Sequence, residues 1–175
     1  AISGYSGGGR RMIESFEQPT PGARPQNYGD YGLTLRHKHI GEMREHGLLS
    51  QTPLFAPAVG YFRQGMLVHL PLQLAALPRP VDGAGLQAAY SEHFRGEPFI
   101  TVRPLNDTTA LREGSSLEPE ALNDTNRLEI FVFANDAARQ ALLVARLDNL
   151  GKGASGAAVQ NLNLMLGLPE GESLT

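Results

Sequence analysis

The stretch RLEIFVFAND, residues 127–136, and the stretch QALLVARLDN, residues 140–149, predict a β-hairpin. Both stretches are rich in β-branched, aromatic and aliphatic residues, which favour strands. A turn that contains Asn135 and Asp136 separates them, and turns of this kind join antiparallel strands. We therefore expect the two stretches to be neighbours in a sheet.

The stretch GMLVHLPLQL, residues 65–74, predicts another strand, because its apolar residues alternate along the chain. The residues on one predicted face are Met66, Val68, Leu70 and Leu72, with His69 on the other. Residues 82–96 predict an amphipathic helix that begins after Asp82 and ends at Gly96. PFITVRP, residues 98–104, is typical of a strand. Antiparallel strands with interspersed helices indicate an α+β fold.

Before these elements, YGLTLRHKHIGEM (residues 31–43) combines a strand pattern with the approach to a helix. Period-two alternation predicts that four residues share one side of a strand, namely Leu33, Leu35, His37 and His39. A short helix is expected near residues 42–46. Residues 17–30 are rich in proline and polar side chains, which predicts a surface loop.

The tail GKGASGAAVQNLNLMLGL, residues 151–168, predicts a helix. Its apolar stripe consists of Ala154, Ala158, Leu162, Met165 and Leu166. Small residues at positions 153–158 allow close approach of a ligand to the start of this helix. Close packing of another helix explains the same pattern equally well.

Composition narrows the possible functions. The 175 residues suffice for one domain with a sizeable core, or for a large part of a two-domain protein. Fifteen basic and 18 acidic residues give a net charge of −3 without a basic stripe, which argues against nucleic acid as a partner. No apolar run is long enough for a membrane span, so a soluble, cytoplasmic protein is the expectation. The absence of cysteine excludes disulfides and thiolate metal sites.

The stretch SGGGR, Ser6–Arg10, has consecutive backbone N–H groups without side-chain crowding beside a guanidinium. This is a reasonable cradle for a phosphate, although the Gly-Lys-Ser/Thr ending of a Walker A loop is missing. A flexible turn is the alternative interpretation.

The stretch HKHIGEMREH, residues 37–46, concentrates three histidines and two glutamates. A metal site would use His39, Glu42 and His46, but neither zincin spacing is present and glycines interrupt the helix, so we predict no metal. A general base needs one imidazole and an orienting partner, which His39 and Glu42 supply. A solvated strand end with no catalytic role remains open. His69 and His93 lie in apolar-periodic elements and are interpreted as structural.

Four stretches in their order and spacing resemble the shorter type of N-acetyl-γ-glutamyl-phosphate reductase, over essentially the whole chain. They are SGYSGGGRRMI (3–13), HKHIGEM (37–43), EPFITV (97–102) and DNLGKGASGAAVQNLNLMLGL (148–168). The last is the most specific, because it is long and nearly complete.

The resemblance implies an NADPH-dependent enzyme of arginine biosynthesis that reduces N-acetyl-L-glutamyl 5-phosphate to the 5-semialdehyde and releases phosphate. Members of that family have an N-terminal Rossmann domain and a nucleophilic cysteine upstream of a region like this one. We therefore expect the chain to be the C-terminal part, inactive alone and with NADP bound mainly by the other domain. The implied fold is that of the glyceraldehyde-3-phosphate-dehydrogenase-like C-terminal domain, a mixed and mostly antiparallel sheet with helices on one side.

The resemblance also implies roles for individual residues. His39 would be the base beside the sulfur, and Glu42 would orient it. The predicted substrate- and phosphate-binding residues are Ser6, Gly7, Gly8, Gly9, Arg10 and Arg63. The predicted neighbours of the nicotinamide are Gly153, Ala154 and Asn161.

The expected division is a substrate-binding and dimerisation domain, residues 1–152, and a C-terminal helix, residues 153–175, that returns to the NADP-binding domain. The apolar stripe of that helix should then be exposed or covered by a neighbouring chain. The expected partners are a small acyl phosphate and further copies of the chain, as a homodimer or homotetramer, with no membrane. Two alternatives remain open: a non-catalytic module for phosphorylated ligands, and a related enzyme such as aspartate-semialdehyde dehydrogenase.

Overall fold

The structure is a computed structural model that describes residues 1–18, 21–22 and 26–175. The chain forms two compact units, Ala1–Arg63 and Gln64–Thr175. This boundary differs from the division expected at residue 152, which stays a prediction. Each unit is described by itself.

The first unit contains three short strands, β1 (Ile2–Gly4), β2 (Tyr28–Asp30) and β3 (Ala58–Gly60). Strand β3 lies between the other two, parallel to β1 and antiparallel to β2. A 3₁₀ turn, Tyr5–Gly8, leads from β1 into helix α1 (Gly9–Glu17). Helix α2 (His39–His46) lies between β2 and β3 in sequence.

A small aromatic and aliphatic core holds the first unit together. Phe16 of α1 is buried, and its ring stacks on Tyr5 with centroids 5.0 Å apart. Ala58 and Val59 of β3 are also buried. The chain between β2 and β3 contributes little to this core, since Leu33, Leu48 and Leu54 are exposed.

The strand predicted over Leu33–His39 is wrong, because residues 33–35 form a turn. The Leu35 N–H donates to the Gly32 carbonyl at 2.9 Å, and both residues have positive φ, which a strand does not accommodate. The alternating leucines are solvent-exposed, so burial of an apolar face does not stabilise a strand here. The helix predicted near residues 42–46 is confirmed, but it already begins at His39.

The loop predicted over residues 17–30 is only partly correct. Helix α1 extends to Glu17, and Tyr28–Asp30 form β2. Residues 19–20 and 23–25 lie outside the described residues.

The second unit is built on four strands in the order β4 (Met66–Gln73), β7 (Gln140–Leu147), β6 (Leu128–Asn135) and β5 (Ile100–Val102). Strand β7 is antiparallel to both of its neighbours, over eight residue pairs on each side. Strands β5 and β6 are parallel. The most deeply buried side chains of this sheet are Phe131, Val132, Leu143 and Val144.

The elements predicted for this unit are confirmed. The β6–β7 hairpin, the strands at β4 and β5 and the α+β class with mixed, largely antiparallel pairing are all present. Helix α3 (Gly83–His93) begins as expected, because the Asp82 carboxylate accepts the Gly85 N–H at 2.8 Å. Leu70 of strand β4 is half exposed.

A buried ion pair crosses the hairpin. Arg146 of β7 donates from Nε to the Glu129 carboxylate of β6 at 3.0 Å, and both side chains are buried. The Arg103 guanidinium lies 3.6 Å from the same carboxylate and also binds Asp107 at 2.8 Å. The buried charges are thus paired, as burial requires.

One π-helical turn, Gly151–Ser155, leads into helix α4 (Gly156–Leu166), which confirms the predicted tail helix. Gly167 ends α4 in the left-handed conformation. Leu162, Met165 and Leu166 are exposed, so the predicted stripe is uncovered in the described chain. That the stripe packs on another domain remains a prediction.

Candidate functional site

The predicted glycine loop is more ordered than an open loop. Tyr5–Gly8 form the 3₁₀ turn, and Gly9, with φ of +71°, begins α1. The first N–H groups of a helix have no acceptor within the helix and lie at the positive end of its dipole. The start of α1 therefore has two features that favour an anion, whereas the N–H groups of Ser6 and Gly9 already donate to the carbonyls of Arg63 and Ser6.

Arg63 lies beside this segment. The Ser6 N–H donates to the Arg63 carbonyl at 3.0 Å, and the Tyr5 N–H donates to the Phe62 carbonyl at 2.9 Å. The structure thus brings together two parts of the predicted phosphate site that are almost 60 residues apart in sequence.

The Arg10 side chain points along α1 toward Glu14. Its Nε lies 2.7 Å from the Glu14 carboxylate, one helical turn further along α1, and its side chain is 91% exposed. Arg11 instead lines a cleft between α1 and β2 of about 410 Å³. The polar residues of this cleft include Arg11, Ser15, Gln26, Asp30 and Tyr31, and Gly8 forms part of its wall.

The histidine segment is packed against aromatic rings. The His37 ring lies 5.9 Å from that of Tyr31, 5.1 Å from that of Phe55 and 4.7 Å from that of His39. Tyr31 also lines the cleft, so one side chain contacts His37 and borders the space that Gly8 borders. Tyr31 therefore connects the two motifs within the first unit.

His37 accepts a hydrogen bond with its ring. The His39 N–H, at the start of α2, donates to His37 Nδ1 at 3.2 Å. An accepting Nδ1 carries no proton, so the neutral ring has its proton on Nε2. Burial lowers the pKa of His37, and the nearby His39 and Lys38 lower it further. The neutral ring is therefore the favoured form.

Glu42 is not bonded to His39. Within the described residues, no hydrogen bond or ion pair joins the Glu42 carboxylate to the His39 imidazole, which is exposed. The charge of Glu42 instead acts on His37, where it opposes the lowering of the pKa. The orienting role of Glu42 stays a prediction, and the neighbour that the structure gives His39 is His37.

The predicted nicotinamide neighbours lie in the second unit. Gly153 and Ala154 belong to the π-helical turn, and Asn161 belongs to α4. All three residues are exposed. The Gly153 N–H donates to the Asp148 carbonyl at 2.8 Å, which anchors the turn to the end of β7.

Lys152, in the same turn, faces the protein interior. Its Nζ donates to Gln160 at 2.6 Å and lies 5.6 Å from the centre of the Phe99 ring. Burial lowers the pKa of the Lys152 ammonium, while Glu170 and Glu97 act against this shift. Lys152 therefore packs against Gln160 and Phe99 on the inner side of the turn, whereas Gly153 and Ala154 face outward.

The sequence did not predict the places of three residues near the candidate site. These are Arg11 and Tyr31, which line the cleft, and His37, which packs against aromatic rings. A helical period counted from Gly9 would have placed Arg11 on the same side as Ser15, four residues further on. The glycines instead suggested a turn, and this concealed the start of α1. Tyr31 has no signal in the sequence beyond its closeness to the histidines.

Within residues 1–18, 21–22 and 26–175, no group of three or more His, Cys, Asp or Glu side chains is placed to hold a metal ion. Among the helices of the same ranges, none has both the length and the apolar character needed to cross a bilayer.

Comparison with known proteins identifies relatives of the chain. It is 53% identical over 174 residues to N-acetyl-gamma-glutamyl-phosphate reductase 2 of Nostoc sp., which covers 97% of the chain and 54% of the relative. The reductase of Chelativorans sp. is 51% identical, with 94% of the chain and 52% of the relative covered. The reductase 2 of Pseudomonas putida is 48% identical, with 95% and 52% covered. The chain spans about half the length of these relatives.

Residues 1–149 match the family model described as the semialdehyde dehydrogenase dimerisation domain. The mixed sheet with its helices agrees with the glyceraldehyde-3-phosphate-dehydrogenase-like C-terminal fold expected for that family. The matched residues include the 3₁₀ turn, the histidine segment, the cleft and the whole four-stranded sheet. The chain therefore belongs to the semialdehyde dehydrogenase dimerisation-domain family.

Proposed function

We propose that the chain is the C-terminal part of an NADPH-dependent reductase that converts N-acetyl-L-glutamyl 5-phosphate to N-acetyl-L-glutamate 5-semialdehyde and phosphate. The observation that carries the proposal is the packed pair His37–His39 beside Tyr31, whose ring borders the cleft next to the Ser6–Gly9 segment. The relatives are named reductases of N-acetyl-gamma-glutamyl phosphate, which supports this reaction.

His39 holds and moves the proton in this proposal. Its imidazole is exposed at the first residue of α2, where an incoming group can reach it. A histidine in this place keeps a neighbouring thiol ionised, donates a proton to the substrate oxygen as the thioester is reduced to the thiohemiacetal, and accepts that proton again when the thiohemiacetal collapses to aldehyde and thiolate. His37 fixes the backbone of His39 through the Nδ1 hydrogen bond, so the two histidines have different tasks.

The Ser6–Gly9 segment and Arg63 hold the anionic part of the substrate. Backbone N–H groups at the start of α1 and the guanidinium of Arg63 stabilise negative charge on the departing phosphate. Arg11 adds a cation to the adjoining cleft, which suits the carboxylate of an N-acetylated amino acid. Arg10, turned toward Glu14, is the least suited of the predicted ligands.

NADP, when bound, supplies the hydride for the reduction. The outward-facing Gly153 and Ala154 are small enough for a nicotinamide to approach the π-helical turn. The exposed Asn161 offers a side-chain amide as a further hydrogen-bonding group. The nucleophilic cysteine and most of the dinucleotide site belong, in this proposal, to the part of the enzyme outside these 175 residues. The chain itself contains no cysteine.

The family description implies oligomerisation, and we propose a homodimer or homotetramer in the cytoplasm, where amino-acid biosynthesis takes place.

The experiment that tests the proposal measures the phosphate-dependent reverse reaction of the intact protein from the semialdehyde and NADP. We expect His39→Ala to lower kcat/KM about 10²-fold or more, because the proton transfer loses its carrier. His46→Ala, at the exposed end of the same helix, is the matched control and should leave the rate unchanged. An inactive intact protein would refute the reductase, and an active enzyme indifferent to His39→Ala would refute the role of His39.

A further inference from the structure

Gln64, directly after Arg63 in the chain, makes two hydrogen bonds to carboxylates. Its Nε2 donates to Asp148 Oδ2 at 3.1 Å and to Asp124 Oδ1 at 2.9 Å. Its backbone carbonyl accepts from Asn123 Nδ2 at 3.1 Å. Both ends of this residue are therefore held by side chains of the second unit.

The next residue, Gly65, is held as firmly. Its N–H donates to Asn149 Oδ1 at 2.8 Å, and its φ is +110°. A Cβ at this position would lie 2.5 Å from the Pro119 carbonyl oxygen. Only glycine accommodates both this φ and this close approach of the Pro119 carbonyl.

Asp148 contacts both Gln64 and the π-helical turn Gly151–Ser155. Its side chain is 1% exposed, and Oδ1 accepts the Leu150 N–H at 2.9 Å. Oδ2 accepts the Asp124 N–H at 2.8 Å in addition to Gln64, and the backbone carbonyl accepts the Gly153 N–H. Among the described residues, no Lys, Arg or His forms an ion pair with Asp148.

A buried carboxylate without a cation depends on every N–H that it accepts. Among the residues that the structure describes, Gln64 is the one side chain that donates to the Asp148 carboxylate, and the other donors are the backbone N–H groups of residues 124 and 150. Loss of the Gln64 amide would leave Oδ2 with one donor fewer. The carboxylate would then have to move, and the turn that begins at Leu150 would move with it.

We propose that Gln64 is a positioning residue for the reduction, and this rests on the proposed function. Through Asp148 it fixes the π-helical turn that presents Gly153. One amide thus sets the placement of the turn on the cofactor side.

The test uses the intact protein with Gln64→Leu, which replaces the amide by an apolar side chain and so removes the donor. We expect the KM for NADP to rise about tenfold or more, because small misplacements of binding groups are costly. Gln73→Leu, at the exposed far end of β4, is the matched control and should leave this constant unchanged. An unchanged KM for NADP in Gln64→Leu would overturn the proposal.

A second variant separates positioning from a general loss of stability. Gln64→Glu places a carboxyl group between Asp124 and Asp148, where it can donate only when a proton is bound. We expect its activity, relative to the unmodified enzyme, to rise at least about threefold from pH 8 to pH 6 as the proton restores the donor. A constant ratio over this range would overturn the proposal.

Hydrogen exchange gives a measurement that does not depend on activity. Gln64→Leu should exchange the amides of Leu150 and Gly153 about tenfold faster than the unmodified protein, and Gln73→Leu should not. Faster exchange in an intact protein without reductase activity would refute the proposed function while supporting the role of Gln64 as an anchor of the turn. Unchanged exchange would refute that anchoring role whatever the activity.

Discussion

At His37, one ring joins the electrostatics of the site to the start of a helix. The imidazole accepts the first N–H of α2 and is packed between Tyr31 and Phe55. A protonated ring cannot accept that hydrogen bond, because both nitrogens are then donors. The charge state of His37 therefore determines whether the backbone of His39 is held.

This arrangement predicts a pH-dependent stability. The pKa of His37 is lowered in the folded chain, so the unfolded chain binds the proton first as the pH falls. Stability is complete above the unfolded pKa of about 6.5 and decreases as the pH falls through and below that value. We expect the Tm to fall less between pH 7 and pH 5 in His37→Asn, whose side chain still accepts the N–H. Identical Tm curves for both proteins would contradict this.

Two glycines of different setting give opposite predictions. Gly65→Ala should lower the free energy of unfolding by about 1–3 kcal/mol, because φ of +110° strains any other residue and the Pro119 carbonyl blocks the Cβ. Gly41→Ala should raise it by about 0.5–1 kcal/mol, because Gly41 is inside α2 and its Cβ would meet no atom within 4 Å. Denaturant unfolding of both variants measures these changes. Destabilisation by both would contradict the second expectation.

At the residue scale, the type of residue near the site was easier to predict than the direction in which its side chain points. The sequence indicates that a cation follows the glycines, but it does not show that Arg10 turns to Glu14 while Arg11 faces the cleft. The direction of a side chain depends on where the helix begins. The tertiary contacts of Ser6 with Arg63 set that beginning, and a local pattern does not contain them.

At the element scale, long strands were predicted well and short elements were not. Strands β4, β6 and β7 each have eight residues, which is enough for alternation and β-propensity to stand out. Around Leu35 the same alternation was misleading, since a strand needs a neighbour and the described chain gives it a turn instead. Strand β2 has three residues, too few for any period to be recognised.

Helix α4 provides a prediction at this scale. Met165 is 83% exposed, so Met165→Gln should change the free energy of unfolding of the 175-residue chain by less than about 0.5 kcal/mol. Leu143→Ala, in the core of the sheet, should cost about 2–5 kcal/mol and serves as the reference. A cost for Met165→Gln equal to that of the reference would show that the stripe is buried by the chain itself.

For the whole molecule, membership in a dimerisation-domain family predicts self-association of the chain. Its mass in solution should be at least twice 18.9 kDa, and its Tm should rise with protein concentration, because association stabilises only folded subunits. Light scattering after size-exclusion chromatography and melting curves over a hundredfold concentration range provide the measurements. A monomer with a constant Tm would contradict the expectation.

The set of candidate site residues could be predicted only through the resemblance. Ser6 and His39 are separated by 33 positions, and nothing in the period or composition of the sequence places them together. The positions of Gly153 and Asn161 were likewise expected from relatives rather than from any property of those residues. Periodicity predicts local elements, whereas the meeting of distant motifs is a property of the folded backbone.

The Glu129–Arg146 pair has a consequence for how the hairpin finds its partner strand. A slip of two residues would preserve the alternation of faces, yet it would set Arg146 opposite Arg127 or Phe131 instead of Glu129. Either mistake buries at least one charge without its counterion, at a cost of about 3–5 kcal/mol. The two charges therefore determine the register of the hairpin. Apolar residues make the strands associate, and the ion pair disfavours the other registers that would bury the same apolar faces.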